Sequence, residues 1–167
     1  MFAVNETPYC VWEYDLLERN MEFLKGIDCK YFEYVSEVNF AESDGENKKR
    51  ASIALRSSYH HGLETLFMLI SALIQAPQAV YAYSLKCFPK DIKAIINKIN
   101  RGETIYNKYG ASRLSWEEIS KSIHIYSNKD ASRAKETCEC FAKLWQRFSY
   151  QYLDELNDRE YNNIKHG

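Results

Sequence analysis

A chain of 167 residues has room for one domain with a substantial core, and no linker, repeat or low-complexity stretch in it asks for a second. Its 22 Lys and Arg nearly cancel 23 Asp and Glu, which excludes attraction to nucleic acid or an anionic membrane by a global field and leaves local contacts only. The five cysteines, Cys10, Cys29, Cys87, Cys138 and Cys140, form no C-x-x-C pair. On a helix Cys138 and Cys140 point about 200° apart, so they read as small apolar residues in a reducing setting rather than as metal ligands. Met1 to Asn20 carries Glu6, Glu13 and Asp15 where a signal sequence would be basic and then apolar, so the expected location is cytoplasmic.

In chain order, Trp12, Leu16 or Leu17, Met21 and Leu24 predict a first helix over Val11 to Lys25, closed by Gly26. Asp28 can cap a second helix whose stripe is Tyr31, Tyr34, Val35 and Val38; the β-branched and aromatic content over Lys30 to Phe40 leaves a lone strand as the alternative. Ser43 to Asn47 is a turn by composition. A long helix is expected over about 48–76, ended by Pro77, with its seam at Ile53, Arg56, His60, Leu63, Phe67, Ile70 and Ile74. From Leu66 to Ala76 apolar residues occur on every side, too few to cross a bilayer, which marks a helix surrounded by others. Gln78 to Lys86 reads as a short helix. Pro89 opens another through Ile92, Ile95, Ile96 and Ile99 to Arg101-Gly102. Ser115-Trp-Glu-Glu118 has capping-box spacing and starts a helix to about His124, and Ser127 to Asp130 breaks the chain before a last helix over about 130–166.

The seam of that last helix is apolar at Ala134, Cys138, Phe141, Trp145, Phe148 and Tyr152, then polar at Glu155, Arg159, Asn162 and His166. The long middle helix has the opposite gradient, polar first and apolar later. Antiparallel packing matches like with like, whereas parallel packing would press charges onto Phe and Ile at a cost of several kcal/mol. The expected fold is therefore a single all-α domain over 1–167, a bundle of about five to seven helices with the middle helix antiparallel to the last. It places a polar pocket at one end. Arg56, Tyr59, His60, His61 and Glu64 would come from the middle helix, and Tyr152, Glu155, Arg159, Asn162 and His166 from the last.

Arg159 and His166 stand seven apart, two helical turns and so on one face. Such a pair can hold a phosphodiester: Arg binds the phosphoryl oxygens, and His moves the proton of an RNA 2′-hydroxyl or of the leaving group. With this spacing the chain resembles the HEPN superfamily, small all-α domains whose ribonuclease members carry Arg, four to six residues, then His, with a polar residue after the Arg. Arg159, Glu160 and His166 match, with Glu where that family usually has Asn or Asp, and Arg56-Ser-Ser-Tyr-His-His61 is a second match. The resemblance implies RNA cleavage or RNA binding without a metal or cofactor. Arg159 and His166 would be catalytic, with His60 opposite them. Arg56, Tyr59, His61, Glu64, Tyr152, Asn162 and Lys165 would contact substrate. Many HEPN-like domains are not enzymes.

Two other classes fit the same residues. One is a non-enzymatic helical domain that forms a homodimer or binds a protein partner through its tyrosines, of which there are 13. The other is a metal site built from His60 or His61 with Glu64, Glu155 and His166, although His61 precedes Glu64 where di-iron bundles place Glu before His. There is no Gly-rich phosphate loop or zinc-finger spacing, and Ser57 and Ser58 lie within a helix rather than on the strained turn of a hydrolase serine.

Overall fold

A computed structural model describes residues 1–12, 14–28, 30–42, 44–107, 110–124 and 130–166, the side chains at 131, 158, 165 and 166 apart. Cys29, Ser43 and the 127–129 part of the expected break lie outside the described residues. Helix dominates, as the periodicities predict. The order is β1 (Phe2–Val4), β2 (Thr7–Tyr9), α1 (Leu16–Gly26), α2 (Tyr31–Ala41), α3 (Lys48–Gln75), α4 (Val80–Ser84), α5 (Pro89–Arg101), β3 (Thr104–Asn107), β4 (Gly110–Arg113), α6 (Trp116–His124), α7 (Ala131–Leu153) and α8 (Glu155–His166). With α7 and α8 taken as one interrupted helix, the number falls within the five to seven expected. No helix among the described residues is long and apolar enough to cross a membrane.

Local chemistry sets most boundaries. Asp28 accepts the Lys30 backbone N–H at 2.9 Å, and α2 begins at the next residue as a helix, not a strand. Pro89 opens α5, where Asp91 accepts the Phe88 N–H at 3.2 Å; Gly102 closes it with φ 62°, a conformation that costs glycine little. The capping box forms in full. The Ser115 hydroxyl accepts the Glu118 N–H at 3.2 Å, and the Glu118 carboxylate accepts the Ser115 N–H at 2.7 Å. The first helix starts at Leu16 rather than Val11, because Val11 and Leu16 both tuck against the core formed by the N-terminal hairpin.

Two features depart from the expected all-helical pattern. The first is a pair of small antiparallel hairpins, β1 with β2 and β3 with β4. Strands of three or four residues are too short to show an alternating pattern. The N-terminal one does carry a signal: Asn5 sits at φ 54° in a two-residue loop between Phe2-Ala-Val4 and Thr7-Pro-Tyr9. The second departure is the break in the last helix. Asp154 is extended (ψ 121°), and its carboxylate accepts the Leu156 N–H at 3.0 Å, so it ends α7 and caps α8 at once.

The core has two parts, and α3 supplies both. Leu63, Phe67, Ile70 and Ile74 pack with Ile92, Ile95, Ile96 and Ile99 of α5, Ile105, Trp116, Ile119, and Trp145 and Tyr152 of α7. Ala72 and Ala76 pack with Phe2, Val4, Ala79, Val80 and Tyr83. That double duty is why the second half of α3 is apolar on every side. Antiparallel order is visible in the pairs that α3 makes: Phe67 meets Tyr152 (ring centroids 5.2 Å apart), and the earlier Arg56 meets the later Glu160. Only the last turns of α7 reach α3, because α5 and α6 fill the space that the sequence assigns to a full-length contact. Asn100 fixes this layer: its side-chain oxygen accepts from Trp116 Nε1 at 2.7 Å and from Ser149 Oγ at 2.9 Å, joining α5, α6 and α7.

Gln75, fully buried at the end of α3, closes the other layer. Its Oε1 accepts from the Asn5 N–H (2.8 Å) and the Tyr83 hydroxyl (3.1 Å), while its Nε2 donates to the carbonyls of Asn5 and Tyr106, both at 2.9 Å. Gln75→Leu would strand three backbone groups and should cost about 3 kcal/mol, at roughly 1 kcal/mol or more for each partner left unmade. In a chain of this size that is a fall in Tm of about 5–10 °C, which scanning calorimetry or thermal circular dichroism would register. An unchanged Tm would show that the hairpins are not held by this amide.

Candidate functional site

The polar pocket expected at one end of the bundle exists as a cleft of about 290 Å³. His60 and Glu64 of α3 form one wall and Asn157, Tyr161 and Asn162 of α8 another; Tyr152 ends α7 at its edge. The third wall is α5, whose first turns bring Pro89, Lys90 and Lys93. Sequence reasoning missed those lysines because it paired only the two long helices. The signal available was Pro89, which fixes where α5 starts and therefore which lysines stand at its exposed end.

Tyr161 organises the α8 wall. It lies parallel to the buried His60 ring, with centroids 4.8 Å apart at 28°, and meets the edge of the exposed His61 at 5.6 Å and 88°. Burial pushes the Tyr161 hydroxyl above its ordinary pKa, so it stays protonated as a donor through neutral pH. Lys93 holds its ammonium 5.6 Å above the Tyr152 ring. Arg56 does not face the cleft openly. Its guanidinium clamps α8, donating to the Glu160 carboxylate at 2.7 and 2.9 Å and to the Asn157 side-chain oxygen at 2.8 Å. One turn on, the Tyr59 hydroxyl donates to the Gln151 side chain at the end of α7, and burial raises the Tyr59 pKa.

The break at Asp154 changes which residues of α8 point inward. An unbroken register would carry Glu155 and Arg159 into the pocket; after the extended residue the inward positions are Asn157, Glu160 and Tyr161. Arg159 stands on the outer surface, its side chain 76% exposed and 3.9 Å from Glu155. It is not brought together with His60. Asn162 keeps its expected place in the cleft, whereas the side chains of Lys165 and His166 lie outside the described residues. Of the two Arg-to-His spacings, Arg56 to His61 is the one seen to have both members against α8.

Chemically, two ammonium groups, two side-chain amides and an imidazole face one carboxylate, Glu64. That set suits an anion with several oxygens, such as a phosphodiester, better than a cation. Among the described residues no three His, Cys, Asp or Glu side chains converge to share a metal ion. Comparison with protein-family models, with curated proteins and with solved structures returns no match.

The Arg56 hydrogen bond holds the Glu160 carboxyl below the ordinary value of 4.5. A depressed carboxyl contributes stability that is present above its unfolded pKa and lost as the pH falls through the folded one. The attachment of α8 should therefore loosen in acid below about pH 4.5, and both partners are exposed enough that the pair is worth at most about 1 kcal/mol. Amide protection factors across α8, with the intrinsic slowing of exchange in acid taken out, should fall in acid in the native chain and become much less pH-dependent in Glu160→Gln. Equal pH dependence in the two would show that this pair does not hold α8.

Proposed function

We propose that this chain is a HEPN-like helical domain that binds single-stranded RNA, its phosphodiester backbone seated in the cleft between α3, α5 and α8. The observation that carries the reading is the pair Lys90 and Lys93 on the first turns of α5, standing across the cleft from His60 and the α8 amides. Both ammonium groups would contact phosphate, and Asn162 would donate to phosphate or ribose oxygens. The chain is nearly neutral overall, so affinity would rest on a few such contacts.

His60 supports a second step, metal-independent cleavage. An imidazole inside the cleft could take the proton of a 2′-hydroxyl as its oxygen attacks the adjacent phosphorus; the P–O5′ bond breaks, the leaving 5′-oxygen takes a proton from solvent, and a 2′,3′-cyclic phosphate remains. Lys93 would stabilise the charge on the phosphoryl oxygens. Arg159 has no place in this scheme.

Fluorescence anisotropy with a single-stranded RNA oligonucleotide in EDTA tests the reading. Binding should weaken in Lys90→Gln and Lys93→Gln, and each should reduce the slope of log K against log salt by about 0.7, the single-strand value for one phosphate contact. His60→Ala should abolish any cyclic-phosphate product while leaving much of the binding. Wild-type protein that binds no RNA overturns the proposal, and binding that both lysine variants retain with an unchanged salt slope moves the site elsewhere.

A further inference from the structure

Glu64 is the one side chain in the cleft that phosphate binding leaves unexplained. Among the described residues it is the only acid that lines the cleft, and it shares that space with His60, Lys90 and Lys93. It stands half-buried on α3, one turn beyond His60 toward the enclosed end of the helix. Its carboxylate makes no hydrogen bond and no ion pair with any described residue, the two lysines included. Two neighbours nonetheless register its charge. Burial first, with the charges of Asp91 and Glu64 adding to it, pushes the Cys87 thiol up to about 11. Burial and then the same Glu64 charge raise the Tyr161 hydroxyl. The carboxylate therefore lies between the approach to α5 and the middle of α8, inside the cleft.

An acid in a site for phosphate repels the ligand unless the same ligand brings it donors. In a strand of RNA the neutral donors are the ribose hydroxyls and the base edges. Guanine alone among the four bases presents two N–H donors side by side, at N1 and N2, which match the two oxygens of a carboxylate as a guanidinium does. Adenine and cytosine set one amino group beside a ring nitrogen whose lone pair faces the second carboxylate oxygen, and uracil sets one N–H between two carbonyls. Those three bases would leave Glu64 desolvated and only partly paired, which costs binding. The lysines attract any sequence, so discrimination falls to the carboxylate. A cleft of about 290 Å³ admits about one nucleotide, and one base at a time would reach it.

We propose that Glu64 selects guanine, its two carboxylate oxygens accepting from N1–H and from the N2 amino group of a base whose phosphate is held by Lys90 and Lys93. The inference rests on the RNA reading of the cleft and adds a base preference to it.

Fluorescence anisotropy in EDTA, with short oligouridines carrying one central guanosine, adenosine or cytidine, tests it. Wild type should hold the guanosine oligonucleotide about 10-fold or more tighter than the others, the scale of one bidentate base contact. Inosine, which lacks the N2 amino group, should fall between guanosine and adenosine, and 7-deazaguanosine, which keeps the paired edge, should match guanosine. In Glu64→Gln and Glu64→Ala all of the oligonucleotides should bind alike. Both variants should keep the circular dichroism and the salt slope of wild type, because the carboxylate holds no other residue and contacts no phosphate. RNA binding that depends on Lys90 and Lys93 but is indifferent to the base overturns the guanine inference and leaves the RNA reading standing, whereas protein that binds none of these oligonucleotides overturns both. If Glu64→Gln binds every sequence more tightly with the wild-type order of bases intact, the carboxylate only repels phosphate and the inference falls. It falls also if the preference for guanosine is lost in 7-deazaguanosine, since the opposite edge of the base is then the one being read.

Discussion

The amide of Gln75 is the point on which the two layers of this molecule depend. It is buried at the C-terminal end of the longest helix, and its oxygen and nitrogen each make two hydrogen bonds. One side chain thereby satisfies the backbone of the N-terminal hairpin at Asn5, the backbone of the second hairpin at Tyr106 and the hydroxyl of Tyr83. A buried amide left partly unmade would destabilise the chain, so the hairpins and α4 stand where the C-terminal end of α3 needs hydrogen-bond partners. Lys98, reaching from α5 to Asn5 and Glu6, adds a second tie from the same hairpin to the helical core.

With one end of α3 fixed in this way, its polarity gradient decides what the other end can do. The apolar half is enclosed by α4, α5 and the hairpins, and the half that carries Arg56, His60 and Glu64 extends past that enclosure. Charged groups there need partners or water. Arg56 receives Glu160 and Asn157, His60 receives the Tyr161 ring, and the remainder opens as the cleft. The lysines of α5 reach the same place because α5 packs its four isoleucines on α3, which sets its N-terminal turn beside His60.

Much of this was legible in the residues. Periodicity located the long helices, Pro89 and Gly102 bounded α5, and the Ser115-Glu118 box marked the start of α6. The opposed gradients of α3 and the last helix correctly placed a polar pocket at one end. What could not be read was rotation about the chain axis after Asp154. Helical counting assumes an unbroken register, and a single extended residue shifts every later side chain, which is why Arg159 lies outside and Tyr161 inside. Asp154 itself gave no warning, since aspartate is a common surface residue and becomes a cap only when the chain on both sides is helical. The hairpins escaped for a different reason: strands so short draw their stability from Gln75 and the core rather than from any pattern of their own.

The same residue makes α8 a lever. Its 12 residues extend about 18 Å from Asp154, and the side chains that line the cleft sit along the first two-thirds of that length. A rotation of about 5° at the joint would move Tyr161 by about 1 Å and one of about 20° by about 4 Å, given a rise of about 1.5 Å per residue. The width of the cleft is thus set by one pair of backbone dihedrals, steadied by the Asp154 carboxylate on the Leu156 N–H and by the Asn157 amide donating to the Gln151 carbonyl. Substitutions at this joint would retune the breadth of what the cleft admits without touching any residue that lines its other two walls.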